Sequence, residues 1–244
     1  MMEFDDIFLK TIDSTQEYAK KNIDKFDKSK ITCISADSQT KGKGRFNREW
    51  LSPENDNLNI TFYFQLNSKC LHLVSIAHIL AISLIKVLRD KDLDPKIKWP
   101  NDVMLDNKKL AGMLSEIQTK NSICDVFLGI GINVNADESF LNKIDQKATS
   151  LTVHTKKTWD RQGLLNNLKK VFLENLKLFK EKGFEPFHEK FENLLLYKGE
   201  KITFFDGQKE YRGVLHSISS EGKLNLYMPD KKMLSFAAGD IICK

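Results

Sequence analysis

Alternating apolar and polar positions predict a long β-strand over residues 57–66. The alternation has the period of two that a strand with one apolar face requires. The residues on that face are Leu58, Ile60, Phe62 and Phe64. Shorter apolar runs at 4–10 and 31–36 predict two further strands. Residues 125–135 predict a buried strand whose two glycines allow another group to pack closely.

Capping signals and helical spacing predict helices elsewhere in the chain. Ser14 is followed three residues later by Glu17, which fits a capping box at the start of a short helix. Residues 71–88 are apolar over most of their length, which indicates a buried helix. Residues 156–197 carry two stripes of apolar residues at helical spacing, and we expect both stripes to face the core.

Between these segments, residues 98–117 predict a β-hairpin. Its strands are the apolar runs at 103–105 and 110–117. The dipeptide Asp106-Asn107 supplies the turn, since both residues tolerate the left-handed backbone that tight hairpins need.

Polar residues of this hairpin are candidates for ligand binding. Pro100 cannot donate to a central ladder, so we expect Asn101 and Asp102 at the start of the first strand. Gly112 interrupts the second strand, which weakens a strand unless something must approach its backbone closely. Lys109 precedes this glycine by three residues and could hold an anionic ligand against the bare backbone. An ordinary surface hairpin with solvated lysines is the alternative interpretation.

After residue 197 the pattern changes to short strands and turns. The predicted strands cover 201–205, 211–218, 224–228, 233–237 and 240–243. Asp206-Gly207 and Glu221-Gly222 are typical hairpin turns between them. This part of the chain predicts a small β-barrel appended to a mixed α/β domain. We therefore expect two domains, residues 1–197 and residues 198–244.

The loop at residues 39–50 is a second candidate for ligand binding. Gly42 and Gly44 let its backbone fold into a concave nest of N–H groups. The positive charges around this nest are Lys41, Lys43, Arg45 and Arg48. The composition suits a phosphate, although the loop lacks both the third glycine of a dinucleotide fingerprint and the ending of a Walker loop. A mobile, solvated basic loop is the alternative.

Composition excludes few classes of function. The net charge of +5 comes from 38 basic and 33 acidic residues, and it permits an anionic partner without requiring one. A nucleic-acid-binding module is the alternative from another class, but the basic residues here are dispersed. The four cysteines lie far apart and suggest neither a disulfide framework nor a zinc site, so we expect no protein metal site and a reducing, cytoplasmic compartment. No segment is long and apolar enough for a membrane span.

Several motifs taken together resemble those of biotin protein ligases in order and spacing. They are Asp13-Ser14-Thr15, the loop from Gln39 to Trp50, Lys98-Trp-Pro-Asn-Asp102, Lys109-Leu-Ala-Gly112 and Gly129-Ile-Gly-Ile-Asn133, with the C-terminal barrel. The resemblance covers nearly the whole chain from about residue 8. Larger members of that family carry an N-terminal winged-helix domain that binds DNA. Because the pattern begins almost at Met1, we expect the monofunctional class and no DNA partner.

The resemblance implies both a fold and a reaction. The implied fold is an α/β (α+β) catalytic domain with a mixed sheet flanked by helices, similar to class II aminoacyl-tRNA synthetases, followed by a barrel of Src-homology-3 type. The implied reaction is adenylation of biotin by ATP and Mg²⁺ to biotinyl-5'-AMP, then transfer to a lysine of the biotin carboxyl carrier protein of acetyl-CoA carboxylase. The family includes monomers and homodimers, so the oligomeric state stays open.

Individual roles also follow from the resemblance. The implied catalytic residues are Lys109, Arg45 and Asp102, with Asp102 orienting a cation or accepting the proton of the incoming lysine. The implied biotin-binding residues are Ser14, Thr15, Gln16, Gln39, Gly42, Lys43, Gly44, Arg45, Lys109 and Gly112. The implied residues for ATP or the adenylate are Lys43, Arg45, Trp50, Asn101, Lys109 and Asn133.

Residue chemistry agrees with this reaction, with one departure. A biotin carboxylate is already ionised at pH 7, so the first step needs fixed positive charge and alignment rather than a general base. Lys43 stands where the family commonly has arginine, and a lysine cannot form the bidentate fork of an arginine. We expect activity with looser retention of the adenylate, and a loop that orders over bound ligand. The nearest rival is a lipoate or octanoate ligase or transferase. Trp50 after the basic loop and the C-terminal barrel favour biotin.

Overall fold

Two β-sheets and six α-helices make up the computed structural model, which describes residues 3–54, 56–70 and 72–242. The strands are β1 (Phe4–Ile12), β2 (Ile31–Gln39), β3 (Leu58–Asn67), β4 (Lys96–Lys98), β5 (Asp102–Leu105), β6 (Lys108–Lys120), β7 (Ile123–Ile132), β8 (Lys201–Phe205), β9 (Glu210–Ile218), β10 (Leu224–Tyr227), β11 (Met233–Phe236) and β12 (Asp240–Ile242). The helices are α1 (Thr15–Lys21), α2 (Ile76–Arg89), α3 (Glu138–Leu141), α4 (Leu151–Thr155), α5 (Arg161–Lys182) and α6 (His188–Asn193). Leu71 and Cys243, at the ends of two predicted elements, lie outside the described residues.

The larger sheet has seven strands in the order β1-β2-β3-β7-β6-β5-β4. β1 runs parallel to β2 and the other neighbours are antiparallel, so the predicted mixed sheet is confirmed. The predicted strand at 57–66 forms β3, but the sheet has no open side there. Helix α5 packs on one face of β3 and α1 on the other. Asn59 and Thr61, on the polar side of the alternation, are therefore buried as well.

Helix α2 is buried around almost its whole circumference, as its composition predicts. It packs against β5, β6, α5 and α6, and its exposed residues are Lys86 and Arg89. The helix begins later than the pattern indicates, at Ile76, because Leu73–Ser75 form a 3-10 turn. His72, before that turn, adopts a left-handed backbone with φ of 61°. No helix among the described residues is both long and apolar enough to cross a membrane.

The C-terminal strands form a second, antiparallel sheet in the order β11-β10-β9-β8-β12. Its apolar side chains, such as Phe204 and Leu224, belong to the same buried cluster as those of α2. The turn between β9 and β10 contacts the N-terminal part of the chain through two backbone carbonyls. Trp99 Nε1 donates to the carbonyl of Gly222 (3.1 Å), and Ser75 Oγ donates to that of Glu221 (2.8 Å). The C-terminal sheet is thus fixed against the central hairpin.

Candidate functional site

Two adjoining cavities lie where the basic loop, the central hairpin and the start of α1 meet. The first cavity has a volume of about 80 Å³ and the second of about 810 Å³. Most of the predicted site residues line the first cavity: Ser14, Thr15, Gln16, Gln39, Lys43, Gly44, Arg45, Trp50, Asn101, Asp102, Lys109 and Gly112. The residues that line both cavities are Arg48, Glu49, Trp50, Asn101, Asp102, Lys109, Gln146 and Asp240. Groups bound in the two cavities would therefore meet at Lys109 and Asp102.

One wall of the first cavity is a chain of buried polar side chains. Ser14 caps α1 as predicted, accepting from the backbone N–H of Glu17 at 3.5 Å. The backbone N–H of the next residue, Thr15, donates a hydrogen bond to Gln39 Oε1 at 2.8 Å. Thr15 Oγ1 also lies 2.9 Å from Thr61 Oγ1, and Thr61 donates to Gln16 Oε1 at 3.1 Å. This wall offers both donors and acceptors to a polar ligand.

A bulge in β6 brings Lys109 and Gly112 to the same side of the hairpin. The pairing of β5 with β6 shifts by one residue, so that Leu110 has no partner across the ladder. A bulge re-aims the side chains that follow it, and residues three apart can then share a face. A Cβ on Gly112 would lie 3.0 Å from Lys109 Cε and 3.3 Å from Asp102 Oδ1. Gly112 thereby leaves room for the Lys109–Asp102 ion pair, whose atoms are 2.9 Å apart.

The cations at the site each have a carboxylate partner. Lys43 Nζ lies 2.7 Å from Glu17 Oε1 on α1. Hydrogen bonds from Lys20 and Lys43 lower the pKa of Glu17 to about 2. Arg45 and Arg48 pair with Asp240 of β12 at 3.0 and 2.6 Å. An anionic ligand would therefore enter a site whose positive charges are already held in place.

Burial acts on the arginine that lies deepest in this group. The Arg45 side chain is 19% exposed, and desolvation lowers its pKa, against the opposing effect of Asp240 and Asp102. An arginine remains charged at neutral pH even so. Its Nη1 also donates to Asn101 Oδ1 at 3.2 Å. Arg45 therefore connects the basic loop to the hairpin at the junction of the two cavities.

Trp50 lines both cavities and covers a bare stretch of sheet. Its indole lies where a Cβ on Gly131 would be, 2.1 Å from the nearest ring atom, so only glycine leaves room for it. The indole N–H donates to Asn59 Oδ1 at 3.1 Å, and Lys109 Nζ lies 5.7 Å from the ring centroid. Gly42 is buried behind the Trp50 carbonyl and does not line the first cavity.

Asn133 lines the second cavity and not the first. The residue is almost fully buried there, with 2% of its surface exposed. Its Oδ1 accepts from Asn57 Nδ2 at 3.2 Å and its Nδ2 donates to the carbonyl of Thr149 at 3.1 Å. The Asn133 side chain therefore fixes the end of β7 through both of its polar atoms.

Sequence reasoning missed several residues at the cavities. Thr61 and Asp240 are the clearest cases, and Gln146 lies in a loop between α3 and α4 that carries no motif. A signal existed for Thr61, since a polar residue inside a strand buried on both faces requires a partner. No local signal marks Asp240, because its partners lie nearly the full length of the chain away.

Comparison with known proteins agrees with this geometry. Residues 8–133 match the Biotin/lipoate A/B protein ligase family. The bifunctional ligase/repressor BirA of Escherichia coli is 30% identical over 225 residues, covering 89% of this chain and 68% of that protein. The biotin–acetyl-CoA-carboxylase ligase of Paracoccus denitrificans is 27% identical over 212 residues, covering 84% of this chain and 88% of that protein.

A solved structure is similar over the same extent. The biotin protein ligase from Aquifex aeolicus in complex with biotin and ATP matches with a TM-score of 0.83 at 35% identity, covering 98% of this chain and 97% of that one. The mixed sheet flanked by helices thus matches the fold of a biotin ligase catalytic domain. The chain belongs to the biotin/lipoate A/B protein ligase family.

Proposed function

We propose that this chain is an ATP-dependent biotin protein ligase. It would form biotinyl-5'-AMP from biotin and ATP and then transfer biotin to the acceptor lysine of the biotin carboxyl carrier protein of acetyl-CoA carboxylase. The observation that carries the proposal is the position of Lys109 in the wall that the two cavities share. A cation there can contact the carboxylate of one ligand and the α-phosphate of another.

In the first step, a carboxylate oxygen of biotin attacks the α-phosphorus of ATP. A bond forms between this oxygen and the α-phosphorus. The bond from the α-phosphorus to the oxygen that bridges to the β-phosphate breaks, and pyrophosphate leaves. Both reactants are anions, so their approach requires fixed positive charge. Lys109 and Arg45 supply this charge from two sides, and Asn101 holds Arg45 in position.

In the second step, the amine of the acceptor lysine attacks the acyl carbon of the adenylate. A C–N bond forms, the acyl–oxygen bond breaks and AMP leaves. We assign the proton of the incoming amine to Asp102, whose carboxylate lines both cavities. ATP would act as its Mg²⁺ complex, because Mg²⁺ typically binds nucleotide phosphates with one or two carboxylates and several waters.

The polar wall of the first cavity favours biotin over lipoate or octanoate. The ureido ring of biotin carries N–H donors and a carbonyl acceptor, whereas the dithiolane of lipoate and the tail of octanoate carry neither. Thr15, Gln16, Gln39 and Thr61 present a hydrogen-bonded polar surface that an apolar ligand would cover without bonding to it. A site built to hydrogen-bond a polar ligand rejects the analogue that lacks the polar groups. We place Trp50 and the second cavity on the nucleotide side.

Exchange of labelled pyrophosphate into ATP tests this function. Purified protein is incubated with ATP, Mg²⁺ and labelled pyrophosphate, together with biotin, lipoate or octanoate in parallel. We expect exchange with biotin alone, since only an adenylate formed reversibly returns the label to ATP. Exchange driven by lipoate or octanoate would assign the chain to the other branch of its family. If none of the three acids supports exchange, the proposed activity is ruled out.

We also propose that residues 1–197 act as the catalytic domain and residues 198–244 as a C-terminal domain. Among the described strands, β8 to β12 pair within their own sheet, which supports this division. Our proposed location is the cytoplasm, where the carrier protein of a carboxylase would be met.

A further inference from the structure

The carboxylate of Asp240 and the neighbouring carbonyl of Gly239 bind the basic loop to the C-terminal sheet. Asp240 Oδ1 lies 3.0 Å from Arg45 Nη1, and Asp240 Oδ2 lies 2.6 Å from Arg48 Nη2. The carbonyl of Gly239 accepts further hydrogen bonds from both terminal nitrogens of Arg45 at 3.2 Å. We call this group of Asp240, Gly239, Arg45 and Arg48 the Asp240 clasp.

The carboxylate side of the clasp is rigid. Asp240 begins β12 and pairs with Phe205 of β8. Gly239 adopts φ of 140°, a backbone conformation that favours glycine, and a Cβ there would lie 2.2 Å from the ring of Phe204. Any side chain at Gly239 would therefore displace the start of the strand. The Asp240 side chain is 16% exposed, so its charge is only partly screened by solvent.

The arginine side of the clasp is irregular backbone. Arg45–Asn47 form a single 3-10 turn that includes a left-handed residue, Phe46, with φ of 54°. Phe46 is 56% exposed, so this turn has no apolar anchor of its own, in contrast to Trp50 at the end of the loop. The loop follows two glycines, and its backbone is closed by hydrogen bonds from the N–H of Gly44 to the carbonyl of Arg48 (2.8 Å) and from the N–H of Trp50 to that of Gly42 (2.9 Å). The ion pairs to Asp240 are shared by both arginine side chains, and Arg45 has the Gly239 carbonyl and Asn101 Oδ1 as further partners.

We propose that Asp240 is a positioning residue that holds the basic loop closed beside the first cavity and sets Arg45 for the nucleotide phosphates. The first half of this inference concerns the loop alone. The second half rests on the proposed function. Asp240 acts through the arginines, and the polar wall formed by Thr15 and Gln39 is independent of it. Loss of the carboxylate should therefore affect the nucleotide more than biotin.

Limited proteolysis with trypsin tests the clasp without any substrate. Asp240→Asn keeps the shape of the side chain and leaves the cleavage sites after Arg45 and Arg48 in place. Cleavage of a loop follows the population of its open form, so the loss of two charge-assisted contacts should raise the cleavage rate by about fivefold or more. Asp230→Asn is the matched control, since Asp230 pairs with Lys232 in an exposed turn of the same sheet. We expect its cleavage rate to equal that of the wild type.

A second variant, in the loop itself, controls for the case in which Asp240→Asn disturbs the folding of the C-terminal sheet. Arg48→Ala leaves β12 unchanged and removes one of the two arginine contacts. Cleavage after Arg45 should accelerate in this variant as well. Equal rates of cleavage in the wild type, Asp240→Asn and Arg48→Ala would overturn the clasp, whether or not the protein is a ligase.

The kinetic readout is a split between the two substrates. In Asp240→Asn we expect the KM for ATP to rise by about tenfold, as for the loss of one charged contact, with biotin binding in the absence of ATP changed by less than about twofold. An equal weakening of both ligands would indicate general damage and contradict the positioning role. If the wild type forms no adenylate, the proposed function fails, while the proteolysis comparison still decides whether the clasp holds the loop.

Discussion

Replacement of Lys109 by alanine is expected to lower biotin-dependent pyrophosphate exchange by about 100-fold or more, the loss typical of removing one preorganised group that stabilises developing charge. Lys109 Nζ is 2.9 Å from Asp102, and the Lys109 side chain is 15% exposed in the wall shared by both cavities. Without it, two anions would meet beside an unpaired carboxylate. The measurement is the exchange rate at saturating ATP and biotin.

Two further variants define what a loss at Lys109 means. Lys108→Ala removes the neighbouring lysine, which is exposed at the start of β6, and should change the rate by less than about twofold. The double variant Asp102→Asn with Lys109→Ala removes the unpaired carboxylate along with the cation. We expect exchange to stay low in it, because the fixed positive charge is still missing. Recovery of the wild-type rate would show that Lys109 serves only to neutralise Asp102.

The largest expected effect on stability comes from His78, in the interior of α2. Its ring donates a hydrogen bond to the carbonyl of Pro100, and its Nδ1 has no partner. The rings of Phe184 and Phe191 lie 5.5 and 4.3 Å from it. Burial lowers the pKa of His78 to about 3, because a charged imidazolium in this environment would lose its hydration.

This shift makes folding sensitive to acid in a defined window. The folded pKa lies below the unfolded value of about 6.5, so the unfolded chain binds the proton first and stability falls as the pH is lowered. The contribution of His78 is complete above pH 6.5 and is lost progressively as the pH falls toward 3. Integrated between pH 6.5 and pH 4, the expected loss is about 3 kcal/mol. Urea unfolding at several pH values measures it.

The matched variants separate His78 from the carboxylates that titrate in the same range. His78→Gln lacks the titrating group, so its free energy of unfolding should fall less steeply between pH 6.5 and 4 than that of the wild type. His216→Gln, at an exposed position of β9, should keep the wild-type dependence. A wild-type pH dependence in His78→Gln would contradict the assignment.

Local chemistry made much of the fold predictable. Asp106 and Asn107 form the turn of the central hairpin with φ of 49° and 59°, as expected of two residues that tolerate a left-handed backbone. Ser14 caps α1 as its spacing to Glu17 predicts. The strand predicted at 201–205 coincides with β8. In each case the residues that determine the conformation lie within a few positions of one another.

Features that depend on distant partners could not be predicted. The bulge at Leu110, which turns Lys109 toward Gly112, reflects the register of β6 against β5 and carries no signature of its own. Asp240 reaches Arg45 across almost 200 positions of sequence. The packing of Trp50 on the sheet likewise depends on which strand the fold places beneath it. These contacts decide how the predicted residues are arranged around the two cavities.

Detection of the bound intermediate tests the central claim most directly. Protein is mixed with biotin, ATP and Mg²⁺, passed rapidly through a desalting column, and examined by native mass spectrometry. The adenylate would occupy both cavities, and its parts in each cavity would contact Lys109. We therefore predict that biotinyl-5'-AMP is found bound to the wild-type protein and is absent from the Lys109→Ala variant. Protein that carries biotin and ATP as separate ligands, without the adenylate, would contradict the claim that the two cavities join their contents.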